Sequence, residues 1–129
     1  MILKKFLNKK MIIFGTSIDG MFTLEIIKKY NIMPVCYIDN NKQKLARNET
    51  YNNIAIKPVD YLYELNNDEY IVLIPSLYYN AMYKQLIDMN IPKKNIANIE
   101  IYYKPLSLFD VPYKIKFYLF MHKYFIKNK

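Results

Sequence analysis

The chain alternates short, wholly apolar runs with longer segments whose apolar residues recur about one helical turn apart. Met11–Phe14 is the first run and ends at Gly15, the pattern of a strand buried on both faces of a sheet. Ile18, Met21, Phe22, Ile26 and Ile27 follow at helical spacing, with Glu25, Lys28 and Lys29 opposite them. Ser17 or Asp19 is the expected cap of that helix. Pro34 ends the connection, and Val35–Ile38 is a second apolar run closing on Asp39. Asn40–Asn53 is polar and turn-rich and is expected to be a loop, followed by a short strand at Ile54–Ile56. Pro58 opens a predicted helix over Val59–Leu65, as proline does in a first turn. Asn66–Asp68 reads as a turn, and Tyr70–Ile74 as a strong strand ended by Pro75 and Ser76. Tyr79, Met82, Leu86 and Met89 then mark an amphipathic helix, which Ile91 and Pro92 end before a last strand at Ile96–Ile101.

Strands alternating with helices of this length imply a parallel sheet joined by right-handed crossovers, so the fold class is α/β. The five strands are expected in the order 3-2-1-4-5, with helices on both faces and a further helix at the C-terminal end. Three regions follow: a basic segment 1–10, a domain 11–102, and a basic-aromatic tail 103–129.

Charge changes the picture mainly by its placement. The formal net charge is +8, but residues 1–10 hold four lysines and residues 113–129 hold five, with no acid in either segment. Residues 11–112 are nearly balanced, with ten basic and eleven acidic side chains. A nucleic-acid-binding domain carries its basic face on the body, so that class is not expected here. The single cysteine, Cys36, excludes an internal disulfide and fits a reducing cytoplasm. Met1–Lys10 has no apolar run of a secretory signal, and no stretch approaches the roughly 20 apolar residues that span a bilayer.

The turn after the first strand reads Gly15-x-Ser17-x-x-Gly20. In a dinucleotide-binding turn the first glycine allows the tight bend, the second lets a pyrophosphate approach, and the third lets helix pack on strand. The helix N-terminus supplies oriented N–H groups and partial positive charge. Here the middle position is serine, which is small and can donate to phosphate but carries a Cβ. Asp39 ends the second strand 19 residues after Gly20, where such folds place an acid on a ribose hydroxyl. Together these features define a Rossmann-like domain. Two readings of the turn stay open: a phosphate site, or glycines that serve chain geometry alone with Asp39 as a turn cap.

Several segments in order resemble a known family. Met11–Gly20, Cys36–Asn41, Ile56–Leu62, Tyr70–Ser76 and Leu86–Ile96 are similar to the small Rossmann-like domain of bacterial surface-polysaccharide enzymes. That domain precedes the catalytic part of sugar acyltransferases of the PglD type and of nucleotide-sugar dehydratases and epimerases of the CapD type. The resemblance covers about residues 10–101 and implies a nucleotide-type ligand: a UDP-sugar, NAD or coenzyme A. It implies that Gly15, Thr16, Ser17 and Gly20 face the phosphates, Asp39 the sugar hydroxyls, and Ser76 the same crevice. The catalytic halves of those enzymes have no counterpart here: there are no hexapeptide repeats, and no Tyr is followed four residues later by Lys. The expectation is therefore a non-catalytic, accessory binding domain in the cytoplasm, peripheral at the inner membrane face. The alternative is an interaction module with a degenerate pocket.

No other chemistry emerges. One His and one Cys cannot build a metal site, His122 lies in the tail, and Cys36 reads as a core residue. Asp60 and Glu64 share a predicted helix face and read as solvated. In the tail, Lys116, Lys123 and Lys127 fall on one helical stripe with aromatic and aliphatic residues around the rest. Three readings of residues 113–129 stay open: packing on its own domain or a second copy, lying on an anionic membrane surface, or docking on a partner enzyme.

Overall fold

Two continuous apolar strands form the centre of the sheet, and every other element is placed by them. The structure, a computed structural model, describes residues 8–29, 31–47, 50–75 and 79–98. Strand β1 (Lys10–Phe14) runs into helix α1 (Ile18–Lys28) and strand β2 (Cys36–Asp39). Helix α2 (Lys42–Ala46) and strand β3 (Thr50–Tyr51) lead to β4 (Ile54–Pro58) and a 3-10 helix over Val59–Glu64. Strand β5 (Tyr70–Ile74), helix α3 (Tyr79–Asp88), a 3-10 turn over Lys93–Asn95 and strand β6 (Ile96–Asn98) complete the described chain.

The sheet order is β3-β4-β2-β1-β5-β6. Apart from β3, which pairs antiparallel with β4, all pairings are parallel. The five parallel strands thus stand in the expected order 3-2-1-4-5, in a Rossmann-like α/β domain. Central β1 pairs with β2 (Ile13 opposite Tyr37) and with β5 (Ile12 opposite Val72). All five residues of β5 are buried, as a strand covered on both faces requires.

The pleat sends alternate side chains into two cores. Met11 and Ile13 face α1, where Phe22, Leu24, Ile26 and Ile27 meet Tyr37 and Leu73. Ile12 and Phe14 face the other way, onto Val59 and Leu62 of the 3-10 helix and Leu86 of α3. Helices therefore cover both faces. Asn95, itself buried, donates to the carbonyls of Asn67 (2.5 Å) and Tyr70 (2.8 Å) and ties the start of β5 to the chain entering β6. Among the described residues, no helix is long and apolar enough to cross a membrane.

The structure corrects three local expectations. Asn40–Asn53 is not a loop: it holds α2 and β3. Asn41 caps α2 by accepting from the amides of Gln43 (3.0 Å) and Lys44 (3.1 Å). Asn52 and Asn53, with φ of 52° and 64°, join β3 to β4 across a two-residue hairpin. Positive φ at both central positions is the type I′ turn, which matches the twist of paired strands. The predicted helix Val59–Leu65 is instead the 3-10 helix Val59–Glu64. Its two buried residues, Val59 and Leu62, stand three apart, the spacing that a 3-10 turn aligns. The second strand begins and ends one residue later than expected, leaving Val35 exposed. The last strand is described for Ile96–Asn98, and the predicted C-terminal helix lies outside the described residues.

The hairpin makes a direct prediction. Holding an L-residue with a Cβ in the left-handed region costs about 1–2 kcal/mol, less for asparagine, which tolerates it. Asn53→Ala is expected to destabilise the domain by roughly 1 kcal/mol in urea unfolding, and Asn53→Gly to be neutral or stabilising. Equal midpoints for the Ala and Gly variants would remove the turn from the account.

Candidate functional site

The site is built at the carboxyl ends of β1, β2 and β5. Between β1 and β5 the chain reverses its direction of travel across the sheet, with α1 on one face and α3 on the other. Open α/β sheets bind ligands in the crevice that opens at such a switch point.

Gly15 leaves β1 with φ of 101° and donates its N–H to the carbonyl of Ile38 (2.7 Å). That backbone angle favours glycine. A side chain on Gly15 would also stand 3.4 Å from the terminal methyl of Met82, so α3 leans over the turn. Gly20 meets a stricter limit: a Cβ there would lie 2.2 Å from the Gly15 carbonyl oxygen and 3.1 Å from its carbon. The first and third glycines thus act as their positions imply, one bending the chain and the other letting α1 press onto the turn. Ser17 is the N-cap residue of α1 and is exposed, but its side chain makes no capping bond. Asp19 lies within the first turn of α1 and is buried there. A carboxylate in that position is favoured by the helix dipole and lowers the positive potential left for a ligand.

Thr16 and Asp39 meet. The Asp39 carboxylate accepts from the Thr16 amide (3.1 Å) and hydroxyl (2.7 Å) on one oxygen and from the Asn41 amide (2.8 Å) on the other. Lys44 of α2 reaches back and donates from Nζ to Thr16 Oγ1 at 2.5 Å. One step further out, Asn40 and Gln85 of α3 exchange two side-chain hydrogen bonds (2.9 and 3.0 Å). The glycine turn, the end of β2, α2 and α3 therefore form one connected corner.

Gly15, Thr16, Ser17 and Gly20 lie on the turn and the start of α1, Asp39 is bonded to Thr16, and Ser76 lies outside the described residues. Lys44, Asn41, Gln85 and Met82 were missed. A signal for Lys44 was present: Asn41 followed by the helix-forming Lys-Gln-Lys-Leu-Ala reads as a capped helix directly after the acid.

Among the described residues, no group of three or more His, Cys, Asp or Glu side chains could hold a metal ion. Asp60 and Glu64 are both exposed. Cys36 is buried at the start of β2, and burial pushes its thiol up to about 11, with Lys57 pulling weakly the other way.

These features define the class: a Rossmann-like domain with a glycine turn at its switch point and a polar corner beside it. Residues 7–97 match the family described as C2185-like, N-terminal, and the chain belongs to that family. No curated protein matches the chain, and no solved structure does.

The raised Cys36 pKa has a testable sign. An unfolded thiol titrates near 8.5, so the neutral buried thiol favours the fold fully below that pH and loses its advantage as pH rises through about 11. At pH 9 the unfolded chain is mostly thiolate, while the native protein holds roughly 1% thiolate. Native Cys36 is therefore expected to react with iodoacetamide at least about tenfold more slowly than in the urea-unfolded chain. Equal rates would contradict this placement.

Proposed function

We propose that the domain binds a nucleotide or nucleotide-sugar in the crevice at the carboxyl ends of β1 and β5, as a non-catalytic partner in bacterial surface-polysaccharide biosynthesis. The observation that carries the binding half is the fit of α1 against the turn. With no side chain on Gly20, the first-turn amides of α1 sit beside the switch point, and exposed Ser17 stands at their head. Oriented amides at a helix N-terminus, with a small hydroxyl beside them, suit a phosphate. The pathway and the cytoplasmic setting at the inner membrane face rest on the resemblance of Met11–Gly20, Cys36–Asn41 and Tyr70–Ser76 to the domains described above.

One observation favours a second reading. The Thr16 amide and hydroxyl are already bonded to Asp39, and Asp19 places a second carboxylate in the first turn. A turn satisfied from within suits an interaction module, one that docks a partner enzyme, a second copy or an anionic membrane through residues 113–129.

Calorimetry separates the two. With a UDP-sugar, NAD and coenzyme A as titrants, the binding reading predicts saturable heat with at least one. Ser17→Asp keeps a good N-cap residue but brings negative charge to the phosphate position, so it is expected to weaken binding at least about tenfold while preserving the fold. Silence across the three titrants would overturn the binding reading in favour of the module.

A further inference from the structure

The donors and acceptors around Asp39 are unequally used, and this inference rests on the nucleotide-binding reading just given. A carboxylate offers about four acceptor positions. Asp39 has filled three of them, two from Thr16 and one from the Asn41 amide. An acid so engaged is a poor host for a ribose diol, which needs to donate both hydroxyls to it. An ammonium has three donors. Lys44, half-buried on α2, spends one on Thr16 Oγ1 and has two to give.

The surroundings carry the same sign. Residues 39–60 hold Lys42, Lys44, Arg47 and Lys57 against Asp39, Glu49 and Asp60, an excess of one positive charge. Lys57 stands on β4 beside the end of β2, its backbone opposite Ile38. The corner that meets the ribose in folds of this class thus presents the spare donors of Lys44 where a diol would need a free acceptor.

We infer that this corner selects a nucleotide whose ribose carries a phosphomonoester in place of a free 2′,3′-diol, with Lys44 as the residue that reads it. The added phosphate supplies the acceptors Lys44 lacks, through charge-assisted bonds that a neutral hydroxyl does not match. Asp39 is then a positioning residue: it holds Thr16, which in turn holds Lys44 over the turn.

Pairs of probes that differ by one phosphate test this: NADP against NAD, coenzyme A against 3′-dephospho-coenzyme A, and adenosine 3′,5′-bisphosphate against 5′-AMP. The phosphorylated member is expected to bind at least about tenfold more tightly in calorimetry. Lys44→Met should erase that preference, bringing the two members of each pair within about twofold of one another, and Lys44→Arg should restore it. Binding without preference within pairs, or binding of a UDP-sugar alone, would overturn the inference and leave the nucleotide reading standing. A preference that survives Lys44→Met would take the role from Lys44. No binding by any probe would overturn both.

Discussion

The contact on which the molecule depends is the approach of α1 to the turn that precedes it. The backbone oxygen of Gly15 sits where any side chain at position 20 would begin. That closeness seats the first turn of α1 directly on the end of β1. Phe22, Leu24, Ile26 and Ile27 can then reach the sheet face made by Met11 and Ile13. Lifting the helix by even the width of a methyl group would open gaps along this whole face, and close-packed cores do not relax to fill such gaps.

The polar corner is secured by many modest bonds. A typical net hydrogen bond is worth about 1 kcal/mol, and more when one partner is charged. Asp39 makes three such bonds, Lys44 adds one to the same threonine, and the Asn40–Gln85 pair fastens α3 to the end of β2. Loops at sheet ends are ordinarily the least restrained part of an α/β domain. Here the groups that could meet a ligand are held by side chains from three separate elements, which favours a preformed site over one assembled on binding.

How much of this was legible in the sequence follows from which forces act locally. β1 and β5 were read well because a strand buried on both faces needs an unbroken apolar run, and Met11–Phe14 and Tyr70–Ile74 are such runs. Strand order followed from crossover handedness and element alternation. The structural roles of Gly15 and Gly20 are legible because backbone geometry fixes them at set positions, whereas the bonds of Asp39 to Thr16 and Asn41 leave no such pattern. The polar stretch after Asp39 was misread because α2 buries nothing fully and leaves no hydrophobic stripe. It is held by the Asn41 cap and by Lys44 reaching across to Thr16, and a contact 28 residues apart in sequence leaves no periodic trace. The hairpin was hidden for a related reason: Asn52-Asn53 is a weaker turn signal than Asn-Gly, and β3 is only two residues long. The 3-10 helix was recognised as helical, but its tighter winding depends on which two residues become buried.

Close contact with the Gly15 carbonyl is what requires glycine at position 20. Helix propensity and packing make opposite predictions at this position. Alanine in a helix interior is favoured over glycine by about 1 kcal/mol, so propensity alone makes Gly20→Ala stabilising. A methyl group 2.2 Å from a backbone oxygen forces the helix to move, and overpacking of this kind costs roughly 1–3 kcal/mol or more. Urea unfolding of Gly20→Ala, beside the exposed control Glu25→Ala on the same helix, measures the balance. A clearly lowered midpoint for Gly20→Ala with a near-neutral control is the predicted result; a midpoint equal to or above that of the unaltered protein would contradict the account.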